Sequence, residues 1–472
     1  MTPTANAFKS NAHGALKDAP LQEALGIARN HSIHTRLNTI AKLPEFEDLR
    51  DIGRDLKNHI IAHLDQYLIQ FEQSVKDRGG HVHWCPDGES ARAKVLEICR
   101  TVNAKTVTKG KSMIGEEIGI NDFLEKNGIE PIETDLGEYI IQLRGETPSH
   151  IIGPALHVTK AQVEETFREA HQDLDPQRNL DDAASLMAEA RTKLRAGFLK
   201  ADVGITGANF LIADEGATTI VTNEGNGDLT QTLPRIHIVL ASIEKVVPSL
   251  KDAMTLLRVL ARSATGQEQS VYTTFSAGPR RPGDLDGPEE FHVILIDNGR
   301  SGYLGSDFEE MLRCIRCGAC LDHCPVYHSV GGHAYGWVYS GPIGSLLNPA
   351  IIGIENAKPL PNASTLCGRC ESVCPMRIPI PKMLRHWRER EFEHALAPQA
   401  ERSGIRFWAF FARRPLLYRF GTRVAARVLS AMAGKRGRLK SVPLAGGWTQ
   451  FRDLPAPQGR TFHDQWRARN GS

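Results

Sequence analysis

Seven cysteines in two short blocks constrain this chain more than any other feature. The first block sets Cys314, Cys317, Cys320 and Cys324 at C-x2-C-x2-C-x3-C spacing and closes on Pro325. The second holds Cys367, Cys370 and Cys374, and closes on Pro375. Two-residue gaps let one tight turn aim three sulfurs at a single inorganic centre, and thiolates are the soft ligands that iron–sulfur clusters take. Gly318 keeps that turn uncrowded, and Pro325, lacking an N–H, leads the chain out of it. Zinc is the competing reading, but it is usually held by two separate C-x2-C knuckles. The first block therefore predicts iron–sulfur ligation.

The remaining cysteines, Cys85 and Cys99, lie far from both blocks among nine in all. This is the pattern of a metal protein in a reducing compartment, not of a disulfide framework. A free cysteine buries readily, so Cys85 and Cys99 are expected in the core. At 472 residues, 41% apolar and 24% charged, the chain is long enough for two or three soluble domains. The N-terminus carries no apolar leader, and no stretch is apolar enough to span a bilayer. A cytoplasmic protein is expected, with peripheral contact at the inner membrane face left open. A net charge of +2 says nothing about nucleic acid.

Four regions follow in order. Residues 1–75 are expected to be helical, with one buried apolar stripe through Asn58–Phe71 and with Arg36, Arg50, Arg54 and Lys57 on a solvated face. Residues 76–300 alternate strands and helices: strands at His81–Cys85, Thr106–Thr108, Ile129–Thr134, Ile205–Thr222, Ile236–Leu240, Val271–Phe275 and Phe291–Asp297, helices at 86–100, Glu117–Lys126 and 248–262. That succession predicts an α/β domain built on a largely parallel sheet. No G-x-G-x-x-G follows a strand, which removes a dinucleotide fingerprint. Gly110-Lys111-Ser112 resembles the end of a phosphate loop, but Lys105 stands where that loop needs glycine.

Candidate chemistry in this domain is thinner. Asp135, Gly137 and Glu138 follow a strand, where open α/β sheets place ligands. Asp214–Thr219 and Asn223–Gly227 are read at hairpin turns, either offering N–H groups and a base to a small anion or serving only as turn formers. His150 and His157, flanking a further strand, are read as structural. Residues 301–395 make a mostly helical module, entered by a capped helix at 301–313. Its glycine- and aromatic-rich loop, Val326–Gly344, suits a cover over a cluster. The tail, 396–472, is basic: Arg402 to Arg452 hold twelve Lys or Arg and no Asp or Glu. An acidic partner subunit, an anionic membrane surface and nucleic acid are the competing readings, and no recognition motif favours nucleic acid.

In two-cluster ferredoxins the fourth cysteine of each run serves the other cluster. Applied here, Cys314, Cys317, Cys320 and Cys374 hold one cluster, and Cys324, Cys367 and Cys370 hold the second. The second cluster's missing ligand falls at Ser364. It is then a 4Fe–4S cluster with a non-cysteine ligand, or a 3Fe–4S cluster.

At this point the chain resembles a known family, the iron–sulfur subunit of three-part L-lactate utilization systems (lactate utilization protein B). The resemblance rests on Lys109–Met113, Asp135–Tyr139, Gly207–Phe210 with Asp214–Gly216, Cys314–Pro325, Gly332–Trp337, Cys367–Pro375 and Phe451–Pro457. It implies a LUD-type α/β domain, with a sheet similar to those of coenzyme A transferases and ribose-phosphate isomerases, before a ferredoxin-type 4Fe–4S module. It further implies two iron–sulfur clusters, two other lactate-utilization subunits, an electron acceptor and a role in oxidising L-lactate to pyruvate. Ser364 in the ligand position is consistent with the family. Electron transfer from another 2-hydroxy acid such as glycolate, and a redox-switched metabolite-binding or transferase-like module, are the alternatives. No catalytic base is assigned.

Overall fold

A computed structural model describes residues 3–442, 449 and 452–470, so Phe451 of the terminal segment lies outside the described residues. The chain divides into two units, one ending at Arg390 and one beginning at Glu391.

The first unit opens with helices α1 (Phe8–Ala15), α2 (Ala19–Ala41), α3 (Phe46–Ala62) and α4 (Leu64–Asp77). The apolar stripe predicted from Asn58 is real, but His63 breaks it into two helices. The solvated basic face is not. Arg36, Arg50 and Lys57 are buried, and only Arg54 stays half-exposed, paired with Asp51 and Asp55. Carbonyls of distant segments accept the buried cations' protons. Arg36 Nη2 donates to Val373 O at 3.2 Å, Arg50 Nη2 to Ser372 O at 2.7 Å, and Lys57 Nζ to Glu244 O at 2.5 Å.

Next come β1 (His81–Cys85), α5 (Gly88–Thr101), β2 (Thr106–Lys109), α6 (Met113–Ile118), α7 (Ile120–Lys126), β3 (Glu130–Glu133), α8 (Leu136–Leu143), α9 (Lys160–Ala170) and α10 (Ala183–Lys200). They are followed by β4 (Val203–Gly207), β5 (Phe210–Ile212), β6 (Ala217–Thr222), α11 (Asn226–Thr232), β7 (Ile236–Ser242), β8 (Val246–Val247), α12 (Leu250–Ala264), β9 (Tyr272–Ser276) and β10 (Glu290–Ile296). Six strands pair in parallel in the order β1-β10-β7-β4-β2-β3. The central strands β4 and β7 are buried at every residue, as a parallel sheet covered on both faces requires. Cys85 and Cys99 lie in this core as expected.

Five expectations need correction. The sheet is not single: β8-β5-β6-β9 form a second, mixed one, with β6 antiparallel to both neighbours. The helix expected over Glu117–Lys126 is two, because Gly119 turns left-handed at φ 64° and splits it. Asp214–Gly216 make a hairpin turn, but Asn223–Gly227 do not, and they open α11 instead. No strand separates His150 from His157, which lie in the loop before α9. Residues 301–313 form two 3-10 turns, Ser301–Tyr303 and Glu309–Arg313, and not one capped helix.

The cysteine region is built of short helices, among them Ala319–Asp322, Arg369–Val373 and the longer Gly341–Ile352. Its aromatic loop seats on the segment before α9. Tyr327 Oη and Ser340 Oγ both donate to Ser149 O, at 3.0 and 3.1 Å. Gly332 is obligatory there, since a Cβ would lie 1.6 Å from that same oxygen.

In the second unit, helices Gln399–Ala412 and Pro415–Ala433 are separated where Pro415 begins the latter. Arg423 pairs with Asp464 of the last helix, Phe462–Asn470, at 2.6 Å. Both long helices leave large apolar side chains in solvent, including Phe407 at 69% and Leu416 at 81% exposure. No helix among the described residues is long and apolar enough to cross a membrane.

Candidate iron–sulfur centre and adjoining cavity

Four of the seven cysteines share one cavity. Cys314, Cys317, Cys320 and Cys374 line one small cavity, walled by Ile151, Ile343, Met376 and Ile378. Cys324, Cys367 and Cys370 are electrostatic neighbours of one another, and Cys370 is also a neighbour of Cys320. All except Cys367 are buried. Burial pushes the Cys370 thiol up to about 12 and the Cys374 thiol up to about 11. Buried thiols of this kind ionise only when cations supply the missing solvation, which is what iron provides. Backbone N–H groups already point at the sulfurs, Arg316 N to Cys314 Sγ at 3.4 Å and Ile378 N to Cys374 Sγ at 3.5 Å. The donor set is all thiolate, the soft ligand that iron–sulfur clusters take.

Backbone geometry shows a repeat that seven cysteines alone do not. Arg316 and Leu366 both take left-handed φ, 60° and 53°, and Gly318 and Gly368 do so at 78° and 80°. Each pair is offset by the same interval as Cys317 and Cys367, or Cys320 and Cys370. Ser364 therefore stands where Cys314 stands in the first block. Its Oγ accepts the Leu366 N–H at 3.1 Å, as Cys314 Sγ accepts that of Arg316.

A second cavity, of about 410 Å³, opens beyond the C-terminal ends of β2, β3, β4 and β7. Lys111, Asp135, Gly207, Asn223, Lys245 and Arg316 are on its lining. Open α/β sheets bind ligands at this edge. Asp135 thus falls in the site as its sequence position suggested. Its carboxylate caps α8, accepting from Gly137 N at 3.0 Å and Glu138 N at 3.3 Å. Glu138 does not face the cavity. It is buried near Lys109 and Glu133, and burial, then the Glu133 charge, raises its carboxyl far above the usual range. Asp214 and Glu215 lie away from the cavity, where Glu215 pairs with Arg78. His150 Nδ1 accepts two backbone N–H groups, from Ile152 and Gly153, and its Nε2 faces Asp322 at 3.4 Å. His157 is held between Ser149 and Glu146.

Arg316 lines both cavities, and a buried network holds it there. Its Nη2 meets Glu244 Oε1 at 3.1 Å, Glu244 Oε2 meets Arg300 Nε at 3.2 Å, and Arg300 makes a two-pronged contact with Glu117 at 2.6 and 2.9 Å. Tyr339 Oη donates to the same Glu117 at 2.6 Å. Burial would raise the Glu244 carboxyl, yet Arg300, Arg316 and Lys245 overcome it and hold it at about 2. Sequence reading missed these residues. Only Arg316, placed between two cysteines, carried any local signal.

The parallel sheet with its edge cavity and the paired cysteine blocks together define an iron–sulfur protein of the LUD-domain class. The LUD domain family matches residues 68–296, the 4Fe-4S dicluster domain family residues 310–378, and the family described as lactate utilisation protein B, C-terminal, residues 369–471. The chain belongs to the lactate utilization protein B family. Proteins of that name from Bacillus subtilis (strain 168) and Exiguobacterium sp. are 40% and 42% identical to it, over 99% and 98% of this chain and 97% and 98% of theirs. The one from Geobacillus thermodenitrificans is 43% identical over 92% of this chain and 91% of its own. A DUF162 family protein of known crystal structure from Deinococcus radiodurans is similar over 49% of this chain and 98% of its own, at 16% identity and a TM-score of 0.26.

Proposed function

We propose that this chain is the iron–sulfur electron-transfer subunit of a multi-subunit complex that oxidises L-lactate to pyruvate. The name shared by its relatives supports the substrate, and the four cysteines lining one cavity, with the 4Fe-4S dicluster match over 310–378, carry the electron-transfer reading. Cys314, Cys317, Cys320 and Cys374 are the ligands of one cluster. Cys324, Cys367 and Cys370 hold the other, with Ser364 at the fourth position of a 4Fe–4S cluster. When bound, the clusters accept electrons singly and pass them onward. The chain's own residues bury the thiolates, donate N–H groups to them and exclude water with the Val326–Gly344 loop. Two further lactate-utilization subunits and an electron acceptor complete the reaction, and the basic tail is the surface offered to an acidic partner subunit. Anaerobic purification with iron and sulfide quantitation, followed by EPR on addition of L-lactate with the partner subunits present, tests this. Two clusters reduced by lactate are expected. Clusters that stay oxidised with lactate but reduce with glycolate overturn the substrate.

A further inference from the structure

We propose that the cavity at the C-terminal edge of the six-stranded sheet binds the carboxylate of a 2-hydroxy acid and its 2-oxo product, with Lys245 and Arg316 as its cationic partners. The anion site stands on geometry, and the choice of a 2-hydroxy acid rests on the function proposed above.

Two buried cations face this cavity with donors to spare. Lys245 makes no hydrogen bond or ion pair among the described residues, although it is only 8% exposed and lines the cavity. Arg316 spends Nη2 on Glu244, but its buried Nη1 has no hydrogen-bond partner among the described residues. Stranding such a donor is costly unless a ligand satisfies it. Lys111, also on the lining, is engaged with Ile152 O. Two carboxylates share the lining. Asp135 is occupied with the N–H groups of Gly137 and Glu138, and Glu224 is exposed and accepts the Asn223 N–H.

The ligand's class follows from the groups at this edge. Ser112 caps α6, and Asp135 places a negative charge at the start of α8, which disfavours a doubly charged phosphate there. Two cations with one free planar donor suit a small carboxylate. Arg316 also lines the cavity of the first cysteine group, and its backbone N–H reaches Cys314 Sγ. A carboxylate bound to Arg316 therefore places its charge beside the first cluster.

The test is a pyruvate titration of the reduced holoprotein, read by EPR and by isothermal calorimetry. Pyruvate is expected to bind and to shift the spectrum of one cluster only. Lys245→Met is expected to raise the Kd about tenfold, and Lys245→Arg to recover most of that loss. Lys245 makes no hydrogen bond among the described residues, but its charge helps keep Glu244 ionised. Lys245→Arg, which keeps that charge, therefore controls for loss of fold, and the wild-type titration needs no variant at all. Failure of pyruvate to bind or to perturb either cluster, or equal affinity in Lys245→Met, overturns the site. Iron and sulfide content of the same sample separates the two claims: absent clusters sink the electron-transfer reading, whereas intact clusters indifferent to pyruvate sink only the site.

Discussion

Glu244→Gln should destabilise the first unit by roughly 3 kcal/mol. The carboxyl is only 1% exposed and sits between Arg300 and Arg316 at 3.2 and 3.1 Å. Its fall from 4.5 to about 2 converts to roughly 3 kcal/mol of net interaction with its surroundings. Breaking a buried ion pair by removing one partner costs a similar amount, about 3–5 kcal/mol. Arg300 keeps Glu117, so the loss falls mainly on Arg316. Urea unfolding of anaerobic holoprotein, followed by far-UV circular dichroism, reads the change at pH 7. The acid limb gives an independent check. A carboxyl depressed in the folded state stabilises fully above its unfolded value near 4.5 and loses that contribution as pH falls toward 2. Wild type should therefore lose stability more steeply than Glu244→Gln in that window. In the double variant Glu244→Gln/Arg316→Met the two losses should be less than additive, because each removes the same pair. A loss below about 1 kcal/mol, or strict additivity, refutes the network as described.

Ser364→Cys should complete a four-thiolate set at the second cluster, altering its EPR spectrum while leaving that of the first unchanged. Arg50→Met deletes the hydrogen bonds to Cys374 O and Ser372 O, so the first cluster should lose iron to a chelator faster than in wild type, with roughly 2–3 kcal/mol of stability lost in urea. His237, buried on β7, is pushed down to about 3 by burial and then by the His292 charge. It stabilises fully above its unfolded value of 6.5 and costs up to about 1.4 kcal/mol per pH unit as pH falls below that, so His237→Gln should flatten the stability profile between pH 6 and 4. Tyr335 carries a buried hydroxyl with no hydrogen-bond partner among the described residues, in the field of Cys324, Cys320 and Cys370, where it would donate to a bound cluster. Tyr335→Phe should lower the second cluster's midpoint by roughly 40 mV, the equivalent of one hydrogen bond of about 1 kcal/mol, as measured by EPR-monitored redox titration.

What could be read from the sequence was what is local. Three sulfurs aimed by one turn leave their mark within a dozen residues, and so does a strand such as β7, apolar along its whole length because both its faces are covered. The second sheet left no such mark, since β5 and β8 are short runs whose pairing joins distant segments. Arg36, Arg50 and Lys57 misled for a different reason. Helical periodicity counts apolar residues, so a cation on the buried face reads as solvated unless its carbonyl partner, more than 180 residues away in each case, is already known. Asp135 was legible because a strand end followed by a capping acid is a local pattern. Glu117, Glu244, Arg300 and Arg316 each come from a different loop or helix, and no spacing joins them.

Arg316 explains why the two halves of the first unit share one network. As a residue between two cysteines it needs only a left-handed backbone, which glycine would supply at lower strain. An arginine there makes sense only if its side chain has work elsewhere, and it crosses to the sheet edge to meet Glu244 over the Tyr339 ring, 5.0 Å from the ring centre. The same residue thus fixes the turn that presents Cys314 and Cys317 and supplies a free donor to the neighbouring cavity. A charge brought close to a one-electron centre from which water is excluded shifts that centre's potential. A carboxylate held at Arg316 and one lost from it therefore set different potentials at the adjacent thiolate centre. Arg316→Lys, which keeps the charge but loses the forked donor, should weaken pyruvate binding while preserving the iron content.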